Sequence, residues 1–144
     1  MQAFITFLSD HTFLTGALVI VLVLLLILES WRAKQMRSAL TPAEAVYQIN
    51  REHAVVIDLR TKDQFLAGHI IAAQSIPAAD IATHHKKKWE KWRNKPLVFV
   101  CPDGLVSKKI AAQFGKEGFT TYAVNGGMRA WVAAKLPIVK GASS

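Results

Sequence analysis

The sequence predicts an α/β domain with a central parallel sheet flanked by helices, preceded by one transmembrane helix. Two observations carry this. Three short apolar runs, Val55-Val56-Ile57-Asp58-Leu59, Leu97-Val98-Phe99-Val100 and Tyr122-Ala123-Val124, are rich in β-branched and aromatic residues, show little alternation and are separated by helical patterns. That is the signature of strands buried on both faces of a parallel sheet. Ahead of them, no residue from His11 to Leu28 carries a formal charge, and Ala17 to Leu28 is continuously apolar. With its flanks this run reaches the ~20 residues that a bilayer span needs.

Taken in order, residues 1–10 read as a short extracytoplasmic tail, 11–29 as the span, 30–39 as a basic juxtamembrane linker and 40–144 as the folded domain. A cleaved signal peptide competes with the span. The residues before the apolar run hold Asp10 and no Lys or Arg, and no small-x-small site follows closely, which favours an uncleaved anchor. Arg32, Lys34 and Arg37 follow the run, so the basic side stays in the cytoplasm and the chain reads as a single-pass inner-membrane protein with a cytoplasmic C-terminal domain. Trp31 stands where an interfacial aromatic belongs. Nothing in the run pairs Gly16 with a second small residue four positions away, so the sequence does not argue for a helix dimer.

Thr41-Pro42-Ala43-Glu44 predicts a helix start, with Thr41 as N-cap, Pro42 at the first helical position and Glu44 closing a capping box. Ala45, Val46 and Ile49 form its buried stripe. The strand at 55–59 ends in Asp58-x-Arg60, and Gly68-His69-Ile70 marks a turn before the next strand, in residues 72–77.

Cys101 is the only cysteine of the chain. It ends the 97–100 strand and opens the turn Pro102-Asp103-Gly104-Leu105-Val106-Ser107, ahead of a helix expected from Lys108 to Phe114. At a strand-to-helix junction a sulfur faces free backbone N–H groups and the positive end of the helix dipole, the surroundings of an activated nucleophile. Such junctions at the carboxyl ends of parallel strands are also where ligands bind in open α/β sheets. The plainer reading of a lone cysteine is a small buried hydrophobe.

The order and spacing of four stretches resemble the rhodanese-like (sulfurtransferase) family across about the last hundred residues. They are the Asp58-x-Arg60 strand with Gly68-His69-Ile70, the strand Ala72-Ala73-Gln74-Ser75-Ile76-Pro77, the Cys101 loop, and Tyr122-Ala123-Val124-Asn125-Gly126-Gly127-Met128-Arg129-Ala130-Trp131, similar to the family's closing Gly-Gly-x-x-x-Trp. The resemblance implies a rhodanese-like domain and a two-step reaction. Cys101 takes the outer sulfur of a small donor such as thiosulfate as a persulfide, then yields it to a thiol, cyanide or protein acceptor. Pro102, Asp103, Gly104, Leu105, Val106 and Ser107 would form the substrate-binding loop, the backbone N–H groups from Asp103 to Ser107 cradling the persulfide, with Gly104 letting the loop close. Asp58, Arg60 and His69 are expected as structural supports near it. No cofactor is implied. His11, His53, His69, His84 and His85 lack metal-ligand spacing, so no metal site is expected.

The loop departs from the family at two places. Active loops often carry Arg or Lys just before the Ser/Thr, where this chain has Val106, and Asp103 adds a negative charge inside the loop. Both weaken binding of a dianionic donor. Lys108 and Lys109, expected in the first helical turn against the dipole, read as compensating cations or as solvent-facing lysines. Cysteine phosphatases need an Arg closing the loop, and Ser107 stands there, which argues against phosphatase chemistry. Without a second cysteine the chain cannot resolve a persulfide by itself, so the sulfur must pass outside. These features leave a second class open: a noncatalytic rhodanese-like module that binds a membrane-associated partner.

The chain carries +8, and because Asp10 and Glu29 are the only charged side chains up to Trp31, the remainder carries +10. Much of the excess lies in His84-His85-Lys86-Lys87-Lys88-Trp89-Glu90-Lys91-Trp92-Arg93-Asn94-Lys95. As a helix this segment places Trp89 and Trp92 on one face, which suits a helix packed on the sheet with a solvated basic rim, or a contact of Lys86, Lys87, Lys88, Lys91 and Arg93 with anionic lipid or a membrane protein. No nucleic-acid motif is present, so nucleic acid is not an expected partner.

Overall fold

The computed structural model describes residues 1–2, 6, 11–36, 38–83 and 86–142. Asp10, Arg37, His84 and His85 lie outside the described residues, as do the side chains of Arg32, Lys34 and Lys86. The chain divides into two units, residues 1–36 and 37–144.

In the first unit one helix, α1 (Thr12–Met36), runs for 25 residues. Its stretch Thr12–Trp31, 20 residues, is long and apolar enough to cross a membrane, since ~1.5 Å per residue gives about 30 Å. The large apolar side chains of this stretch, Phe13, Leu14 and Leu18 to Leu28, are exposed within the unit. The helix continues into the residues expected as linker because Glu29 to Met36 contains neither Gly nor Pro to stop it.

The second unit is built on a five-stranded, wholly parallel sheet in the order β1-β5-β4-β2-β3. Its strands are β1 (Ala39–Leu40), β2 (Val55–Asp58), β3 (Gln74–Ser75), β4 (Leu97–Val100) and β5 (Thr121–Val124). The helices are α2 (Pro42–Arg51), α3 (Lys62–Ala67), α4 (Lys86–Glu90), α5 (Leu105–Lys116) and α6 (Gly127–Ala133). The central parallel sheet flanked by helices expected from the sequence is therefore present. β1 was not legible: two residues carry no period, and only the pairing of Ala39 with Ala123 and Leu40 with Val124 defines it.

Both faces of the sheet are covered, and the strands divide their side chains between them at the two-residue period of extended chain. Val56, Val98, Val100 and Val124 share one core with Ala45, Phe65, Met128 and Trp131. Ile57, Leu97, Phe99 and Ala123 share the other with Trp89, Ala111, Phe114 and Phe119. Cys101 continues the alternation of β4 and lies in this second core, on the side of α5.

Helix starts are set by capping boxes. Thr41 accepts from Glu44 N while the Glu44 carboxylate accepts from Thr41 N, with Pro42 at the first position, and the same reciprocal pair joins Thr61 and Gln64 at α3. Each such cap contributes about 1 kcal/mol. The Thr61-x-x-Gln64 signal stood in the sequence and was missed. Ala45 is buried, and Val46 and Ile49 are half-buried against the core.

The basic segment is shorter as a helix than its composition implied. Beyond Glu90 it continues as turns, with Trp92 N, Arg93 N and Lys95 N each donating to the carbonyl three residues back. Trp89 is 4% exposed and meets Phe114 edge-on, ring centroids 4.6 Å apart. Its apolar payload thus covers the sheet. Trp92 is half-buried with Lys91 Nζ 4.2 Å above its ring, while Lys87, Lys88 and Lys91 face outward and Arg93 pairs with Glu90.

Candidate active site

β4 delivers Cys101 to the carboxyl edge of the sheet, and the chain reverses through Pro102, Asp103 and Gly104 into α5. The helix begins at Leu105, three residues earlier than expected, for two reasons. Gly104 takes a left-handed φ of +89°, and Asp103 Oδ1 accepts the Leu105 N–H at 3.0 Å. Lys108 and Lys109 consequently fall in the second turn, where opposition to the helix dipole has faded. Lys108 Nζ donates to Asn125 Oδ1 at 3.1 Å, tying α5 to the loop after β5.

The sulfur is held by the loop that follows it. Gly104 N–H and Ser107 N–H donate to Cys101 Sγ at 3.0 and 3.4 Å. The thiol in turn has two acceptors in reach, Ser107 Oγ at 3.3 Å and Asp103 Oδ1 at 3.7 Å, and Ser107 Oγ donates to Gly104 O at 3.1 Å. Backbone donors converging on one atom stabilise negative charge there. Cys101 is only 1% exposed, and Gly104 and Ser107 are buried with it. Pro102, Asp103, Leu105 and Val106 form the exposed rim.

Asp103 brings a carboxylate to that rim. The Leu105 N–H holds its carboxyl below the usual carboxylate range, with the Cys101 thiol and the Arg129 guanidinium adding to the effect. Asp103 thus claims for itself one of the backbone donors expected to cradle a substrate. Arg129 was not singled out in the sequence, where Lys108 and Lys109 are the cations read as compensating.

Arg129 arrives through the Gly126-Gly127 turn. α6 starts against the loop, with Met128 N–H donating to Cys101 O at 2.9 Å and Arg129 N–H to Pro102 O at 3.2 Å. A Cβ on Gly127 would collide with Cys101 O and lie 2.8 Å from Gly104 N, and one on Gly104 would lie 2.9 Å from Gly126 N. The paired glycines are therefore the contact by which α6 clamps the cysteine loop. Trp131, 2% exposed, anchors the other end of this helix by donating Nε1–H to Pro137 O.

Asp58, Arg60 and His69 lie away from the sulfur's hydrogen bonds. Arg60 binds Asp58 at both carboxylate oxygens, 2.8 Å at the shortest, and reaches Gly68 O at 2.6 Å. His69 is 1% exposed, stacks on Phe65 and has Nδ1 2.8 Å from Phe65 O, while its backbone pairs with Val139. These residues join the end of β2 to the α3–β3 turn. Among the described residues, no group of three or more His, Cys, Asp or Glu has the proximity to hold a metal ion.

A cleft of about 440 Å³ opens beside the loop, lined by Pro102, Arg60, Arg129, Met128, Val132 and Ile138 among others. Its lining mixes the apolar Ala67, Pro102, Met128, Val132 and Ile138 with Gln64 and the two arginines.

Comparison with known proteins agrees with this geometry. The model of the rhodanese-like domain matches residues 41–134. The chain is 30% identical over 142 residues to the uncharacterized protein YibN of Escherichia coli (strain K12), covering 98% of this chain and 99% of that one. It is 31% identical over 93 residues to the thiosulfate sulfurtransferase GlpE of Pseudoalteromonas translucida, covering 64% of this chain and 86% of that protein. Among solved structures, the rhodanese-related protein of Thermoplasma volcanium superposes with a TM-score of 0.60 at 22% identity, over 70% of this chain and 96% of that one.

Proposed function

This chain belongs to the rhodanese-like domain family, and from that membership we propose that it is a membrane-anchored sulfurtransferase carrying sulfane sulfur as a persulfide on Cys101. The observation that supports this most is the convergence of the Gly104 and Ser107 N–H groups on Sγ, a preformed site for a charged sulfur. With thiosulfate as donor, the Cys101 thiolate attacks the outer sulfur, the Sγ–S bond forms as the donor's S–S bond breaks, and sulfite leaves with the electron pair. An acceptor then attacks the outer sulfur of the persulfide. Cyanide leaves as thiocyanate, a thiol as a new persulfide, and the Cys101 thiolate returns. Splitting the transfer into two displacements is ordinary covalent catalysis.

α1 supports the anchoring, and the basic residues after it support a cytoplasmic domain. Lys86, Lys87, Lys88, Lys91 and Arg93 then add contact with anionic lipid, each contributing about 1 kcal/mol near such a surface. Removal of residues 1–31 is expected to release the chain from washed membranes. Retention would transfer the attachment to the basic segment.

Asp103 and the burial of Cys101 favour a second reading, a noncatalytic module that recruits a membrane-associated partner through the loop rim. Thiocyanate formation separates the two. The full chain in detergent, given cyanide with thiosulfate or with an alkyl persulfide, is expected to turn over, and Cys101→Ser is expected to abolish it. Equal rates for the two proteins would overturn the catalytic reading.

A further inference from the structure

The backbone N–H groups from Gly104 to Ser107 are not equally free. Those of Gly104 and Ser107 already donate to Cys101 Sγ, at 3.0 and 3.4 Å. The Leu105 N–H donates to Asp103 Oδ1 at 3.0 Å, and the Val106 N–H has no partner among the described residues. Because Cys101 is 1% exposed, a sulfur added to Sγ can extend only towards the rim that Asp103, Leu105 and Val106 form. A persulfide carries its negative charge on that outer atom, so the Leu105 and Val106 amides are the donors left to receive it. One of the two is occupied by a side chain of the loop itself.

The Asp103 carboxylate is well seated there. Its Oδ1 stands 3.7 Å from Sγ, within reach of the thiol hydrogen as well as of the amide. The Leu105 N–H holds the carboxyl below its usual range, so it is charged wherever the cysteine reacts. Among the described residues it makes no ion pair, and the next side chain that could carry a neutralising cation is Val106.

Resting on the sulfurtransferase reading above, we propose that Asp103 is a resident anion in the persulfide cradle, an autoinhibitory contact that closes the unloaded loop and must leave the Leu105 N–H when Cys101 takes up sulfur. Loading from thiosulfate keeps its balance: the thiol proton passes to solvent, the Sγ–S bond forms as the donor's S–S bond breaks, and sulfite leaves with the electron pair. Sulfite attacking the outer sulfur reverses it. Asp103 alters where this equilibrium lies. Beside the neutral thiol the carboxylate is an acceptor, whereas beside the persulfide it meets a like charge near 4 Å, in surroundings less polar than water. Such repulsion shifts an equilibrium by at least ~10-fold. The unloaded state is favoured, and sulfur once held is given up readily to an acceptor.

The test is the loading constant of the full chain in detergent, read by intact mass as the persulfide fraction at a series of fixed thiosulfate-to-sulfite ratios. Asp103→Asn keeps an oxygen for the Leu105 N–H without the charge, and Asp103→Ala removes both. Each is expected to raise the constant at least ~10-fold. Glu117→Gln, which removes a carboxylate at the far end of α5, is expected to leave it within about twofold. A purely structural part for Asp103 predicts the opposite sign, because a loop that no longer closes holds sulfur less well. A constant unchanged or lowered in Asp103→Asn would overturn the proposal, as would an equal rise in Glu117→Gln. Persulfide on none of these proteins at any ratio would instead sink the sulfurtransferase reading beneath it.

Discussion

Replacing Gly127 by Ala should dismantle the site from outside the cysteine loop. Gly127 has φ +59°, a conformation that costs a residue with a Cβ of order 1–3 kcal/mol. The added methyl would also collide with Cys101 O and stand 2.8 Å from Gly104 N and from the Pro102 carbonyl carbon, all of them backbone atoms that cannot swing aside as a side chain would. The loop must therefore retreat. It then loses the bonds from Met128 N–H to Cys101 O and from Arg129 N–H to Pro102 O, each worth about 1 kcal/mol. Together these give a loss of about 3–5 kcal/mol, or roughly 15–30 °C in Tm for a domain near 100 residues. Tryptophan fluorescence during thermal unfolding of the full chain in detergent reads it out, since Trp89 and Trp131 are both buried in the cores. Gly115→Ala supplies the contrast: that glycine is helical, and its Cβ would meet only Thr121 Oγ1 at 3.3 Å, so the change should stay within about 1 kcal/mol of the parent. A Gly127→Ala protein that melts within about 3 °C of the parent and loads sulfur at the parental rate would refute the argument that the glycine pair clamps the loop.

Arg60→Ala should cost about 3 kcal/mol in urea denaturation, because Asp58, 1% exposed, is left as an unpaired buried charge and Gly68 O loses its donor; a loss below 1 kcal/mol would contradict this. Lys135→Gly should stabilise by about 1 kcal/mol. Lys135 holds φ +56° at the end of α6, where Leu136 N–H bonds to Trp131 O and Lys135 N–H to Val132 O in the paired pattern that glycine ordinarily closes. Acid should weaken the α2 cap: the Thr41 backbone N–H, then its hydroxyl, hold the Glu44 carboxyl below its ordinary range, so this contribution is present at neutral pH and is lost as pH falls through the carboxylate range. Glu44→Gln should flatten that part of the pH–stability curve, and an unaltered acid slope would argue against it.

The parts of the site that are local in sequence were legible in it. An apolar strand running into Pro102-Asp103-Gly104 ahead of a helical pattern predicts a strand-to-helix turn at Cys101, and Thr41-Pro42-Ala43-Glu44 announces its helix through hydrogen bonds that never leave one turn. What escaped depends on distant segments or on side-chain choices. β1 exists because Ala39 and Leu40 find β5, more than eighty residues on, and no pattern in two residues foretells that. The early start of α5 follows from the Asp103 carboxylate turning inward to the Leu105 N–H rather than out to water. Arg129 reaches the loop only because two glycines let α6 approach within hydrogen-bonding distance, so its place beside Asp103 could be read only after the sheet was assembled.

The measurement that bears most directly on the whole account is the intact mass of the full chain after incubation with excess thiosulfate or an alkyl persulfide, with Cys101→Ser alongside. The account predicts a gain of one sulfur atom on the unaltered chain alone, reversed by cyanide. An unchanged mass with both donors, in protein whose tryptophan fluorescence shows it folded, would contradict it and leave the partner-binding module as the function of this loop.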